Sequence, residues 1–186
     1  MHSTHRPHIG LGLPVDDPAL LPAWARRADA LPFSTLGLLD RLVYDNPEPL
    51  ITLATLAGAT SRIRLQTEVL IAPVHNTALL AKQTATLDRL SDGRFTLGIG
   101  VGGRADDCLA AGIDLHRRGR RLDEQMALLR RTWDGEPTAG TSAPSAPAPP
   151  RPADRGCCSA ASPRPPWNGS AGSATASSAP RCPPRT

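Results

Sequence analysis

Residues 76–103 read NTALLAKQTATLDRLSDGRFTLGIGVGG, and this stretch decides the fold. Asn76 suits a helix N-cap, Leu79, Leu80, Gln83, Leu87 and Leu90 recur at helical spacing, and Asp92-Gly93 ends the run. Arg94 to Val101 then reads as a strand that enters Gly98-Ile99-Gly100-Val101-Gly102-Gly103. A helix that hands over to a buried strand and a glycine turn is the repeating joint of an α/β chain.

The same joint appears on both sides. Upstream, Ile9–Pro14, Ser34–Leu39 and Ile63–Ala72 are apolar strand candidates. Between them lie two helices. The first starts at Asp16-Asp17-Pro18, with Leu21, Trp24, Ala25, Ala28 and Leu31 facing inward, and the second runs from about Pro49 to Thr60, with Leu50, Leu53, Ala54 and Ala57 inward. Downstream, a short helix is expected over Asp106–Ala111 and a longer one over Arg117–Asp134, with Leu122, Met126, Leu129 and Trp133 on one face. Gly135-Glu136-Pro137 ends the last. Four strand-helix units at roughly 30-residue intervals predict a parallel sheet with right-handed crossovers.

The chain changes character near Pro137. Residues 138–186 contain no Leu, Ile, Val, Phe, Met or Tyr but hold 11 of the 20 prolines. Such a segment cannot build a core and is expected to be disordered. Its five arginines against Asp154 account for the whole net charge of +4. The basic balance therefore predicts no nucleic-acid partner, because residues 1–137 are neutral and have no basic stripe. No apolar run reaches the roughly 20 residues of a membrane span, and Met1–Pro7 lacks the apolar core of a secretory signal, so the expected location is cytoplasmic with no membrane partner. Cys108, Cys157, Cys158 and Cys182 form no metal or disulfide pattern. The expected organisation is a flexible N-terminus over 1–8, one domain over 9–137 and a tail over 138–186.

Several residues could carry chemistry. Gly98, Gly100 and Gly103 satisfy Gly-x-Gly-x-x-Gly, but nothing after Trp133 can form the further strand that a dinucleotide fold needs. Two readings stay open: a tight turn at a strand end, or backbone kept bare so that a flat ring or phosphate can approach. Asp40 and Arg41 end the second strand and His75 the third, where a barrel gathers its reacting groups; emergence into solvent is the plainer alternative. Arg117, Arg118, Arg120 and Arg121 oppose the dipole of the helix they begin, so at least one should face an anion or a carboxylate. His2, His5 and His8 have metal-like spacing but sit at a terminus, and no metal site is expected.

The run Ala81–Gly100 resembles the luciferase-like flavin-dependent monooxygenases, as do Thr60-Ser61-Arg62-Ile63-Arg64-Leu65, Gly102-Gly103-Arg104 and Arg118–Glu124 with Trp133. The resemblance covers residues 9–137 in order. It implies an α/β fold, a partial (β/α)8 TIM barrel of about four βα units, that binds FMN or a deazaflavin at the C-terminal ends of its strands. In that family a reduced flavin activates oxygen to oxidise a small organic substrate, or a deazaflavin exchanges hydride. A non-prolyl cis peptide of the family maps onto Glu68-Val69, where backbone would bulge against the flavin, beside Gly98, Gly100 and Gly102. A phosphate-binding arginine maps onto Arg120. A catalytic histidine of the luciferase branch falls at Arg41, a departure that leaves open the deazaflavin branch, in which the residue equivalent to Asp40 contributes to the active site.

A closed barrel of this kind needs eight strands and about 250 residues. Half of one would expose two strand edges and an apolar inner face, so the chain is expected to be inactive alone. A homo-oligomer is one way to cover such edges, and a non-catalytic interaction protein with a basic tail is the rival reading. One Lys against 20 Arg suggests a GC-rich gene, and a frame-shifted translation would account for the tail. Read from the third base of each codon, Arg155–Ala160 can encode Gly-Leu-Leu-Leu-Gly-Gly, a buried strand and glycine turn. A gene that encodes no barrel continuation in that frame removes the idea.

Overall fold

The computed structural model describes residues 8–13 and 17–136. Residues 1–7, Asp16, Pro137 and the tail with Cys157, Cys158 and Cys182 lie outside the described residues.

Four strands form one parallel sheet in the order β1 (Gly10–Gly12), β2 (Thr35–Leu38), β3 (Arg64–Thr67) and β5 (Phe95–Thr96). A two-stranded sheet pairs β4 (Leu70–Ile71) with β6 (Ile99–Gly100), also in parallel. Helices α1 (Leu21–Asp29), α2 (Pro49–Ala59) and α3 (Thr77–Leu90) connect successive strands, and α4 (Ala105–Ala110) and α5 (Arg118–Trp133) follow. The four strand-helix units are those read from the sequence.

Register explains where the core sits. Leu11, Leu36, Leu65 and Phe95 stand opposite one another across the sheet and project to the helix side, where they join Ala25, Leu53, Leu56, Leu80 and Leu129 in one cluster. Alternation then forces Gly10, Thr35 and Arg64, and Gly12, Gly37, Gln66 and Thr96, onto the opposite, inner face. Arg64 donates to Thr96 Oγ1 there at 2.9 Å. This corrects the expected apolar inner face: the wall is built of glycine and polar side chains. Among the described residues, β1 and β5 are the edge strands of this sheet, as expected.

Two long strands of the sequence reading are each broken in two. The Glu68-Val69 peptide is cis, at the position that the resemblance implied. There the third strand leaves β2 and β5 and continues as β4 beside β6. The Gly98 carbonyl spans the step, accepting from Thr67 Oγ1 at 2.7 Å and from Leu70 N at 2.8 Å. The remainder of Ile63–Ala72 ends in a 3-10 turn over Ala72–Val74.

Caps fall where the side chains predict them. Asp17 accepts from Ala19 N at a 3-10 turn before α1, and Asn76 accepts from Leu79 N at 3.1 Å. Asp92 and Gly93, both at positive φ, end α3. The expected inward set needs correction at Trp24, 48% exposed, and at Leu31, Leu79 and Leu90, also exposed. The line of α1 that meets the core is Leu21, Ala25 and Ala28, and Leu31 lies beyond the helix end. No helix among the described residues is long and apolar enough to cross a membrane.

Candidate active site at the strand C-terminal ends

Two basic anchors, Arg94 partly buried and Arg62 exposed, fix the opposite, N-terminal end of the sheet. Arg94 donates to Ala57 O, Thr60 O, Thr60 Oγ1, Ile63 O and Ser91 O, tying the end of α2 to the start of β5. Arg62 donates to Asp29 O, Leu31 O and Phe33 O, while the Asp29 carboxylate accepts from the amides of Ser61, Arg62 and Ile63. Burial pushes the Asp29 carboxyl up, but those amides outweigh it and hold the group below its ordinary value.

With that end fixed, the C-terminal ends converge. Asp40, just past β2, accepts from Ile71 N at 2.7 Å and lies 3.4 Å from His75 Nε2. The carboxylate is 8% exposed and the imidazole 23%. The fold thus brings together two residues 35 positions apart in sequence. Arg41 turns the other way. Its guanidinium donates to Asp107 Oδ2 at 2.7 Å and Asp106 Oδ2 at 3.1 Å. Asp107 is 1% exposed and also accepts from Leu42 N and Val43 N. Burial opposes its charge, yet the Arg41 contact and these two amides prevail and lower its pKa; the Asp107 hydrogen bond likewise raises that of Arg41. The arrangement pins the loop after β2 and leaves Leu42, Val43 and Tyr44 exposed at the mouth.

The bulge forms the floor. Val69 is exposed, and the Glu68 carboxylate lies across Gly37 and Gly12: a Cβ on Gly37 would overlap it, and one on Gly12 would be 3.5 Å from its Oε2. Gly98, Gly100 and Gly102 abut the same bulge. A Cβ on Gly98 would sit on the Thr67 carbonyl oxygen, one on Gly100 would lie 2.7 Å from Val69 Cγ2, and one on Gly102, at φ +74°, would lie 2.6 Å from Ile71 Cγ2. These glycines have a packing cause, and their bareness also keeps the inner face low around Val69.

Arg120 stands apart, exposed and paired with Glu124 at 2.8 Å. It lines a depression of about 270 Å³ with Gly112, Ile113, Asp114, Arg117 and Arg121. Arg118 instead donates to Gly102 O and Leu115 O, and Arg121 to Pro73 O and His75 O. Arg118, Arg120 and Arg121 are thus answered by carbonyls and one carboxylate. Sequence reasoning passed over Asp107, although Asp106-Asp107 at a helix start was a visible signal, and over Gln125, which interrupts the apolar stripe of α5.

Glycines 10, 12, 37 and 100 add no side chain to this wall, although the Glu68 carboxylate covers Gly12 and Gly37, and the depression beside Arg117, Arg120 and Arg121, which Asp114 and Glu124 also line, offers cations to a phosphate. Residues 1–181 match the luciferase-like monooxygenase family. The 4-hydroxyprotoasukamycin monooxygenase of Streptomyces nodosus subsp. asukaensis is 39% identical over 88 residues, 47% of this chain and 24% of that protein. The oxygenating constituent of 3,6-diketocamphane monooxygenase from Pseudomonas putida, solved with FMN, superposes with a TM-score of 0.65 at 19% identity, covering 70% of this chain and 41% of that one. The coenzyme F420 dependent tetrahydromethanopterin reductase of Methanopyrus kandleri gives 0.62 at 20% identity, covering 76% and 46%. The two superpositions show the fold, a partial barrel, and the chain spans less than half of each of these three proteins. With the match to its family profile running across nearly the whole sequence, the chain belongs to the luciferase-like monooxygenase family.

Proposed function

We propose that residues 9–136 form the N-terminal half of a flavin-dependent oxidoreductase site that takes reduced FMN or a deazaflavin and oxidises a small organic substrate. The observation that carries this reading is the Asp40–His75 pair at the strand ends, set beside an inner wall of glycine and polar side chains. When bound, the cofactor supplies oxygen activation or hydride exchange. Asp40 and His75 hold or move a proton at the substrate, across the 3.4 Å between Oδ2 and Nε2. Arg41 acts from behind by fixing the loop that carries Leu42, Val43 and Tyr44. Glu68 and Val69 support the ring, Gly98, Gly100 and Gly102 let the bulge form, and Arg120 with Arg117 meets the phosphate.

The other half of a closed barrel would complete the wall, so the chain alone binds the cofactor weakly and does not turn over. Titration of the full chain with FMN and with a deazaflavin, followed by flavin fluorescence and backbone NMR, tests both statements. Millimolar binding with shifts centred on Gly12, Gly37, Asp40 and Val69 supports them. Micromolar binding refutes the weak binding, substrate oxidation by the cofactor-loaded chain refutes the inactivity, and shifts confined to other faces refute the site. A second reading, self-association as a homo-oligomer without catalysis, is favoured by the open edges of β1 and β5. Sedimentation would detect it as a compact dimer that melts cooperatively.

A further inference from the structure

The 3.4 Å between His75 Nε2 and Asp40 Oδ2 is longer than an ordinary hydrogen bond, so this contact alone does not place the ring. The backbone that carries His75 must do so. Within the turn over Ala72–Val74 a single bond, from His75 N to Ala72 O, closes the chain. The other bonds come from α5. Gln125 Nε2 donates to Ala72 O and to His75 O, each at 3.0 Å. Arg121 donates from Nε to Pro73 O at 2.7 Å and from Nη2 to His75 O at 3.3 Å. The carbonyls on both sides of the turn are gripped by two residues one helical turn apart.

Gln125 is an uneconomical choice unless that grip matters. It is 3% exposed and sits among Leu122, Met126 and Leu129, where an apolar side chain would pack without desolvating a carboxamide. Its Oε1 is buried with no hydrogen-bond partner among the described residues. Flipping the amide would aim that oxygen at two carbonyls, so the acceptors themselves fix the orientation. The position accepts an unsatisfied oxygen in order to present two N–H donors to one turn.

We infer that Gln125 and Arg121 are positioning residues that hold His75 against Asp40, a role that rests on reading this pair as the reacting pair. The test uses the full chain without cofactor and follows the imidazole signals by long-range proton–nitrogen NMR, with His75 assigned by its loss in His75→Asn. Asp40→Asn gives the reference displacement of the His75 signals. Gln125→Met should reproduce at least half of it while the remaining amide spectrum stays in place. Arg121→Met should move the same signals in the same direction, and Arg121→Lys, which keeps a donor, should restore most of the wild-type position. A folded Gln125→Met protein with unmoved His75 signals overturns the proposal. If that variant does not fold, Arg121→Met decides in the same way. His75 signals that ignore Asp40→Asn overturn the pair and the proposal together. Failure of flavin binding, read separately, leaves this result standing.

Discussion

Thr67 and Gly98 are joined at two points: the Thr67 hydroxyl donates to the Gly98 carbonyl, and the Thr67 carbonyl fills the space where a side chain on Gly98 would begin. Gly98→Ala therefore forces backbone apart and should cost about 3 kcal/mol, near the upper end for overpacking. Gly37→Ala meets only the far end of the Glu68 side chain, which can swing away. It should cost about 1 kcal/mol or less on the same scale. Urea unfolding of both variants checks the contrast, and equal losses would contradict it.

Arg94 carries the last turn of α2. Arg94→Met leaves the carbonyls of Ala57, Thr60 and Ile63 without their charged donor and should destabilise by about 2–3 kcal/mol. Arg94→Lys should recover only a part, because a single ammonium cannot reach the same fan of acceptors. Thermal melts of the three proteins measure the order.

Acid should weaken the fold through two identified carboxylates. Asp29 and Asp107 are both held below the ordinary carboxylate value of about 4, so the unfolded chain takes up their protons first as pH falls. Their contribution is complete above that value and is lost as pH drops through the lower, folded values. Asp107→Asn should be less stable at pH 7 yet show a flatter decline below about pH 4. Denaturant midpoints measured between neutral and acid pH test it, and a parallel decline in both proteins would refute it.

Freeing Arg41 should loosen the mouth without unfolding the barrel wall. In Asp107→Asn the amides of Leu42 and Val43 keep an acceptor, but the guanidinium loses its buried counter-charge. Hydrogen exchange at Leu42 and Val43 should then accelerate by about tenfold or more, the equivalent of some 1.4 kcal/mol of local stability. Exchange at Leu36 and Leu65, deep in the sheet, should scale only with the global loss.

Much of this was legible in the sequence because the signals were local. Asn76, Asp92-Gly93 and the leucine spacing of α3 fix a helix without outside help, and the repeated strand-helix rhythm implies the parallel sheet. The break at Leu97-Gly98 was not readable from periodicity, since apolar residues continue through it, and at Glu68-Val69 the polar run Gln66-Thr67-Glu68 did not by itself mark a break; its position came through resemblance. The inner face was misjudged because Leu36 and Leu38 are seen first, whereas Gly37 and Thr35 decide what the other side is made of. Trp24 and Leu90 show the limit of helical stripes, as a wide apolar sector does not say which flank the core will cover. The four arginines at the start of α5 stand out on charge and Arg120 among them through resemblance, but which cation is spent on a carbonyl, as Arg121 is, depends on where α5 passes the third strand.

The wall of Thr35, Arg64, Gln66, Glu68 and Thr96 is one that water wets. Hydration of such a polar surface carries little penalty. The backbone rows at β1 and β5, and not this wetted wall, are therefore where the sheet would recruit an added strand from another chain.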